Sequence, residues 1–505
     1  MASHMSNDVQ RKMAAGAFWM VLFKLTERSL GLISTLILVR LLSPSDFGIV
    51  AMAGSFILMT EMMMAFSFDV ALIQNQDATE EHYHSAWTCN VLLGLFITVI
   101  MLVAASSIAA FYKQPELFWV VCAFALGPLI SGCENIGVVA FRKDMEFRRE
   151  FAFQLSRKVI GFLVVVPLAY FTQSYWALVA GIMTGKLAGT IISYMAHPFR
   201  PHFSLVKVKG LLSFSRWLLI NNIVSFLKER SSDFAIGRVL GAAPLGVYNI
   251  SYEIAIMPTT ELSAPINRAL LPGFSRLALD AVAMRAAYSS AVGMLALVAV
   301  PASAGIYALA PFIVPVLLGQ KWIAGVPVME ILAFNGALLL IHSSICTVLI
   351  GGGYPDRVTK TNGLYVLIML ILFALLIPSH GLVGAAFSAL VASVLSTPIY
   401  LFQVRRTIGV PASTFVRVAA RPFLAAMAMI GLVRWIMPEW SSVMNFSVAI
   451  GWLLGGVAIG ATAYATAISV LWVAAGRPEG AERTLFGWLW KKLLKRRAAP
   501  STPTN

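Results

Sequence analysis

Two apolar stretches of the chain carry charge where a membrane helix would avoid it. Residues 15–41 contain Lys24, Glu27 and Arg28, and residues 214–239 contain Lys228, Glu229, Arg230 and Asp233. A further apolar stretch follows each: 46–73 holds Glu61 and Asp69, while 244–268 holds Glu253 and Glu261 and ends on Arg268. A charge inside a bilayer costs several kcal/mol unless it faces protein or water, so these side chains must turn inward. The spacing agrees. Asn221/Asn222, Ser225, Lys228/Glu229 and Ser232/Asp233 recur every three to four residues and draw one polar stripe along a helix. Lys24, Glu27/Arg28, Gly31 and Ser34/Thr35 draw another. Two such stripes can line a wet path through an apolar protein, where bases grip an anion and acids take up a cation. A purely structural role competes with this, because Lys24–Glu27 and Arg230–Asp233 are spaced i,i+3 and can neutralise one another.

The elements that must position these residues are transmembrane helices. The 505 residues are 59% hydrophobic and 12% charged, with a mean hydropathy of +0.80, whereas soluble domains carry about 25% charged residues. Apolar runs of about 20 residues recur along the chain, each long enough to cross about 30 Å of hydrocarbon. Reading them between Pro, Gly and charged breaks predicts an all-α membrane protein of about fourteen spans with short loops. With the N-terminus in the cytosol, the inner segments hold 25 of the 38 basic residues and the outer loops only Lys113 and Lys321. The positive-inside rule then puts both termini in the cytosol. The same asymmetry accounts for the net charge of +15 without nucleic acid as a partner.

Residues 15–73 also match residues 213–271 at an offset of 198 without a gap. Trp19 meets Trp217, Arg40 meets Arg238, Leu42 meets Leu240, Gly48 meets Gly246 and Met59 meets Met257. Six spans separate the copies, so both run in the same direction and the repeat is parallel. The expected organisation is a cytosolic N-terminus (1–13), an N-lobe of six spans (14–200), an interfacial linker (201–213), a C-lobe of six spans (214–403), two extra spans (404–475) and a cytosolic tail (476–505). Met1–Met5 (MASHM) reads as a cloning remnant, and no cleavable signal peptide is expected. In the tail, Leu485, Phe486, Leu489, Trp490, Leu493 and Leu494 share one helical face beside Lys and Arg, which suits an anchor on anionic lipid.

Other features carry less. Cys89, Cys122, Cys133 and Cys346 all lie in apolar runs without a CxxC pair, so neither disulfide nor metal is expected. Gly181–Lys186 (GIMTGK) falls short of a phosphate-binding loop in spacing and has Leu187 after the lysine, so no ATP and no cofactor is expected. His342 reads as a hydrogen-bonded structural group. Gly451/Gly455 and Gly456/Gly460 are small-xxx-small pairs that suit packing within the chain.

Several stretches resemble the polysaccharide-transporter (Wzx-type) branch of the multidrug/oligosaccharidyl-lipid/polysaccharide exporter superfamily. They are Leu41–Met52 (LLSPSDFGIVAM), Ala71–Gln74, Phe141–Arg149 (FRKDMEFRR), Leu245–Pro258 (LGVYNISYEIAIMP), Phe274–Leu277 (FSRL) and Leu317–Trp322 (LLGQKW). The resemblance runs through most of the chain in order, and extends to the lipid II flippases. It implies a two-lobed alternating-access flippase in the bacterial inner membrane. Its passenger would be an undecaprenyl-diphosphate-linked oligosaccharide, moved from the cytosolic to the periplasmic leaflet for exopolysaccharide, capsule or O-antigen assembly. A polysaccharide polymerase or co-polymerase is a candidate partner. A diphosphate needs cationic donors, guanidinium being the better bidentate one, so Lys24, Arg28, Lys228, Arg230 and Arg268 are the candidate diphosphate ligands. The acids Glu27, Glu61, Asp69, Glu229, Asp233 and Glu261 remain open between pairing with bases, contacting sugar hydroxyls and taking up H⁺ or Na⁺. An ion-coupled drug or organic-cation antiporter of the same superfamily is the alternative, though it would want few bases in the cavity. A membrane enzyme would be expected to carry a sizeable outer loop with catalytic Arg or His, which is absent here.

Overall fold

The computed structural model describes residues 2–64, 68, 72–73, 77–208, 216–277, 280–441, 445–478 and 481–483. Among them there is no strand. The long helices are α1 (Ala2–Leu41), α2 (Pro44–Met64), α3 (Glu80–Tyr112), α4 (Leu117–Gly132), α5 (Phe147–Thr172), α6 (Trp176–Ala196), α7 (Arg216–Leu240), α8 (Ala242–Arg276), α9 (Ala281–Ile313), α10 (Val326–Gly351), α11 (Pro355–Ile408), α12 (Ala412–Ile436) and α13 (Phe446–Ala474). Helix α11 is broken at Gly381, whose φ of 59° and ψ of −133° are open to glycine, so it counts as two helices and the described residues hold fourteen long helices, in approximate agreement with the expected fourteen. Among the described residues eight helices are apolar and long enough to cross a membrane, or nine if the bent pair at α4 is one span. Only 11% of the apolar stretch of α5, and likewise of α13, is buried inside the fold, as expected for helices whose surroundings are lipid.

The chain forms two compact units, Met1–Val247 and Tyr248–Asn505. The division falls inside α8 rather than in the linker at 201–213, because α7 packs on α2 within the first unit.

In the first unit the motif LLSPSDFG is a helix start. Ser43 donates from its N–H and its hydroxyl to Asp46 Oδ2 (2.8 and 2.5 Å), and Pro44 fills the first helical position, where no N–H is needed. The other oxygen of Asp46 accepts the N–H of Tyr175 at 3.0 Å and so ties the α1–α2 turn to the α5–α6 turn. The motif FRKDMEFRR is a reversal into α5. Met145 takes the left-handed conformation (φ 60°), and Arg142–Glu150 and Arg149–Glu146 pair at 2.9 and 2.8 Å. The segment after α6 lies along α3: Ser204 N–H donates to Thr88 Oγ1 (2.9 Å), Lys207 N–H to Ser85 Oγ (3.1 Å), and Phe203 rests on Trp87.

The second unit closes over Phe274, Met284, Tyr288, Ile345, Val348, Tyr400 and Val404, from α8 to α11. Several of its interior polar groups are matched in pairs. Ser393 donates to Asn335, Tyr400 donates to Asn362, and His342 bonds Thr397 at 2.9 Å while stacking on Tyr400. Helices α12 and α13 lean on α9. Arg434 of α12 reaches both Glu330 and the carbonyl of Tyr307, and Gly456 of α13 lies against Leu309. Gly460 packs on α12, whereas nothing approaches Gly451 or Gly455. In LLGQKW the indole of Trp322 is fully buried. The basic amphipathic tail lies outside the described residues, apart from Glu482 and Arg483.

Candidate functional site

Within the first unit, α1, α5 and α6 enclose a cavity of about 550 Å³ whose polar lining is Glu27, Ser34, Gln154, Arg157, Lys158 and Lys186. Helices α5 and α6 are pressed together where Gly161 meets Gly181 and Gly185 lies under the backbone of Arg157, so no side chain fills the space between them. That explains GIMTGK. Its glycines pack helices, and its lysine enters the cavity.

The charges here form a connected set. Glu27 stands between two ammonium groups, with Lys24 Nζ at 2.9 Å from Oε2 and Lys158 Nζ at 3.1 Å from Oε1. Both lysines are more than half exposed (61% and 56%) and Glu27 is 24% exposed, so this triad borders open space. Arg157 pairs with Glu134 at 3.2 Å in a more enclosed place, and Gly189 leaves room for its guanidinium. Lys186 Nζ is 3.5 Å from Ser131 Oγ. Of the described charged residues that line the cavity, Arg157, Lys158 and Lys186 stand against Glu27, three positive charges against one, a surplus of two. In a cavity with apolar walls such a surplus favours an anion, because screening is weaker there than in water.

A second charged group lies between α2 and α7. Asp233, whose side chain is 2% exposed, accepts the hydroxyl of Ser55 at 2.8 Å and meets Arg230 at 3.4 Å. Tyr112 and Phe56 pack edge to face in the same region, and the buried Tyr112 hydroxyl has no hydrogen-bond partner among the described residues. This group is a seam between packed helices.

The sequence-derived candidates therefore fall in different places. Lys24 and Glu27 stand together at the cavity. Arg28 is half-buried on α1 and does not line it. Arg230 and Asp233 pair in the seam, Lys228 is half-buried on α7, and Glu229 and Glu261 are exposed. The side chains of Glu61 and Arg268, and the whole of Asp69, lie outside the described residues. Sequence reasoning passed over Arg157, Lys158 and Lys186 as ligands. Their signal was present, since they are basic residues within otherwise apolar spans. Their neighbourhood to Glu27 is not readable from spacing.

The family described as "Polysaccharide biosynthesis protein" matches residues 37–327. Among curated proteins, the chain is 23% identical over 407 residues to the lipopolysaccharide biosynthesis protein WzxC of Escherichia coli (strain K12), covering 80% of this chain and 83% of that one. It is 25% identical over 460 residues to the succinoglycan biosynthesis transport protein ExoT of Rhizobium meliloti (strain 1021), covering 89% and 91%. Among solved structures, the lipid II flippase MurJ in an inward closed conformation superposes with a TM-score of 0.74 at 13% identity, over 90% of this chain and all of that one, which establishes the fold. The chain is a multi-pass membrane transporter, and it belongs to the polysaccharide biosynthesis protein family.

Proposed function

We propose that the protein flips a polyprenyl-diphosphate-linked oligosaccharide from the cytosolic to the periplasmic leaflet of a bacterial inner membrane by alternating access, with both termini in the cytosol. The glycan would feed exopolysaccharide, capsule or O-antigen assembly, and a polymerase or co-polymerase would take it up. One observation carries this reading: a cavity walled by membrane-spanning helices holds a surplus of two positive charges, from Arg157, Lys158 and Lys186 against Glu27. An esterified diphosphate carries two negative charges, which that surplus matches, and ammonium and guanidinium groups bind phosphate oxygens well. The names of WzxC and ExoT point to polysaccharide export, which agrees. An organic cation would meet repulsion in the same place.

The test is flipping of a diphosphate-linked polyprenyl oligosaccharide in liposomes by the wild type and by Lys158→Gln, Lys186→Gln, Arg28→Ala and Arg268→Ala. The expected result is translocation by the wild type that is lost in Lys158→Gln and Lys186→Gln with folding intact. Absence of translocation by folded wild type, together with uptake of an organic cation, overturns the reading in favour of an antiporter.

A further inference from the structure

Glu27 is an acid in a site that otherwise attracts anions, and it occupies the space between Lys24 and Lys158 that a phosphate group would take. We propose that Glu27 is a resident counter-anion, which bridges the two lysines and is displaced from Lys158 by the substrate's diphosphate. The proposal rests on the reading of this cavity as the diphosphate site.

The two ion pairs of the cavity differ in a way that gives them different roles. Arg157 and Glu134 are 24% and 19% exposed, and the guanidinium is confined by the backbone at Gly189. That pair is stiff, and it positions one wall. Glu27 is held only by two ammonium groups on long flexible stems, both more than half exposed. Exposed pairs of this kind hold weakly, and lysine donors are not bound to one geometry. A diphosphate offers two charges and several acceptor oxygens to the same donors, so it can replace a single carboxylate at Lys158.

The charged groups near Glu27 are Lys24 and Arg28 on α1, Arg157 and Lys158 on α5, Lys186 on α6 and Glu134 across from Arg157. Lys24 stays within reach of Glu27, since it lies one turn away on the same helix, so exchange at Lys158 need not release Glu27 entirely.

The experiment is calorimetric binding of a short polyprenyl-diphosphate N-acetylglucosamine to the full-length protein in nanodiscs. Wild type is compared with Glu27→Gln, Lys158→Gln, Arg157→Gln and Lys186→Gln, each checked for folding by thermal unfolding. Glu27→Gln is expected to bind about tenfold tighter, since the amide does not compete with the diphosphate as an anion for Lys158. Unchanged or weaker binding by folded Glu27→Gln, while Lys158→Gln loses binding, overturns the counter-anion role alone. Binding unaffected by all three substitutions of basic residues overturns the assignment of the cavity as well.

Discussion

Gly48 and Gly246 each lie against the chain that precedes the other: Gly48 against the backbone of Ala242, and Gly246 against the backbone of Pro44. Both glycines and both contacted residues are 198 positions apart, so the offset detected in the sequence is realised as a reciprocal crossing of α2 and α8. A Cβ on either glycine would overlap a carbonyl oxygen, and backbone cannot swing aside as a side chain can. Gly48→Ala and Gly246→Ala should each cost about 2–3 kcal/mol, read as a lowered unfolding temperature in detergent. The double substitution should cost less than the sum, since both relieve one crossing. Gly54→Ala on the same helix has nothing within 4 Å and should be neutral or slightly stabilising. Equal losses at Gly48 and Gly54 would remove the crossing from this account.

That crossing also marks what sequence could and could not give. Gly48, Gly246 and the turn residues Ser43, Pro44 and Asp46 act through local backbone geometry, which leaves a trace in residue type and spacing. Span positions were likewise readable, because hydrocarbon thickness sets run length. The partners of charges were harder. Lys24–Glu27 and Arg230–Asp233 share a helix and were visible as i,i+3 pairs. Lys158 on Glu27 and Arg157 on Glu134 join residues 131 and 23 positions apart, and only packing brings them together. Charges within apolar runs pointed to a wet path along residues 15–41 and 214–239, and the cavity described within the first unit is built by α1 together with α5 and α6.

Asp233 should matter to stability before it matters to transport. It is buried, and its short hydrogen bond comes from Ser55 rather than from Arg230, which is 3.4 Å away. Ser55→Ala leaves a buried carboxylate short of a donor and should cost about 1–3 kcal/mol. Asp233→Asn keeps a group of the same shape, so Ser55→Ala added to it should cost little more, and the two effects should be strongly non-additive. Thermal unfolding of the four proteins measures this. Simple additivity would show that the 2.8 Å bond contributes nothing.

The segment after α6 should confer acid sensitivity through His197. Burial holds its imidazole below the ordinary value, helped by the positive charge of Arg149 and opposed by Asp144 and Glu146. Its Nδ1 accepts the N–H of Phe199 at 3.2 Å, which requires that nitrogen to be unprotonated. The folded state therefore binds the proton less readily than the unfolded chain. The stability contribution is present above the unfolded value of about 6.5 and falls away as the pH drops below it. His197→Gln should flatten the decline in unfolding temperature between about pH 7 and 5. An unchanged slope would assign the acid sensitivity to other groups.

Gly189 should control transport at a distance from any substrate atom. A Cβ there would meet the Arg157 guanidinium, a flexible side-chain end, so Gly189→Ala should fold and displace the arginine rather than the helix. Arg157 then loses its 3.2 Å pairing with Glu134 and its fixed place in the cavity wall. Charge-assisted hydrogen bonds contribute about 1.5–3 kcal/mol, so a loss felt in substrate binding should reduce flipping about ten- to a hundredfold. Arg157→Lys keeps the charge but not the planar fork, and should fall in the same range. Flipping assays on both, with unfolding temperatures measured alongside, separate the two possible causes. Reduced flipping at unchanged stability makes Gly189 a positioning residue for Arg157. Reduced flipping that tracks a lowered unfolding temperature would instead make it a packing residue of α5 and α6.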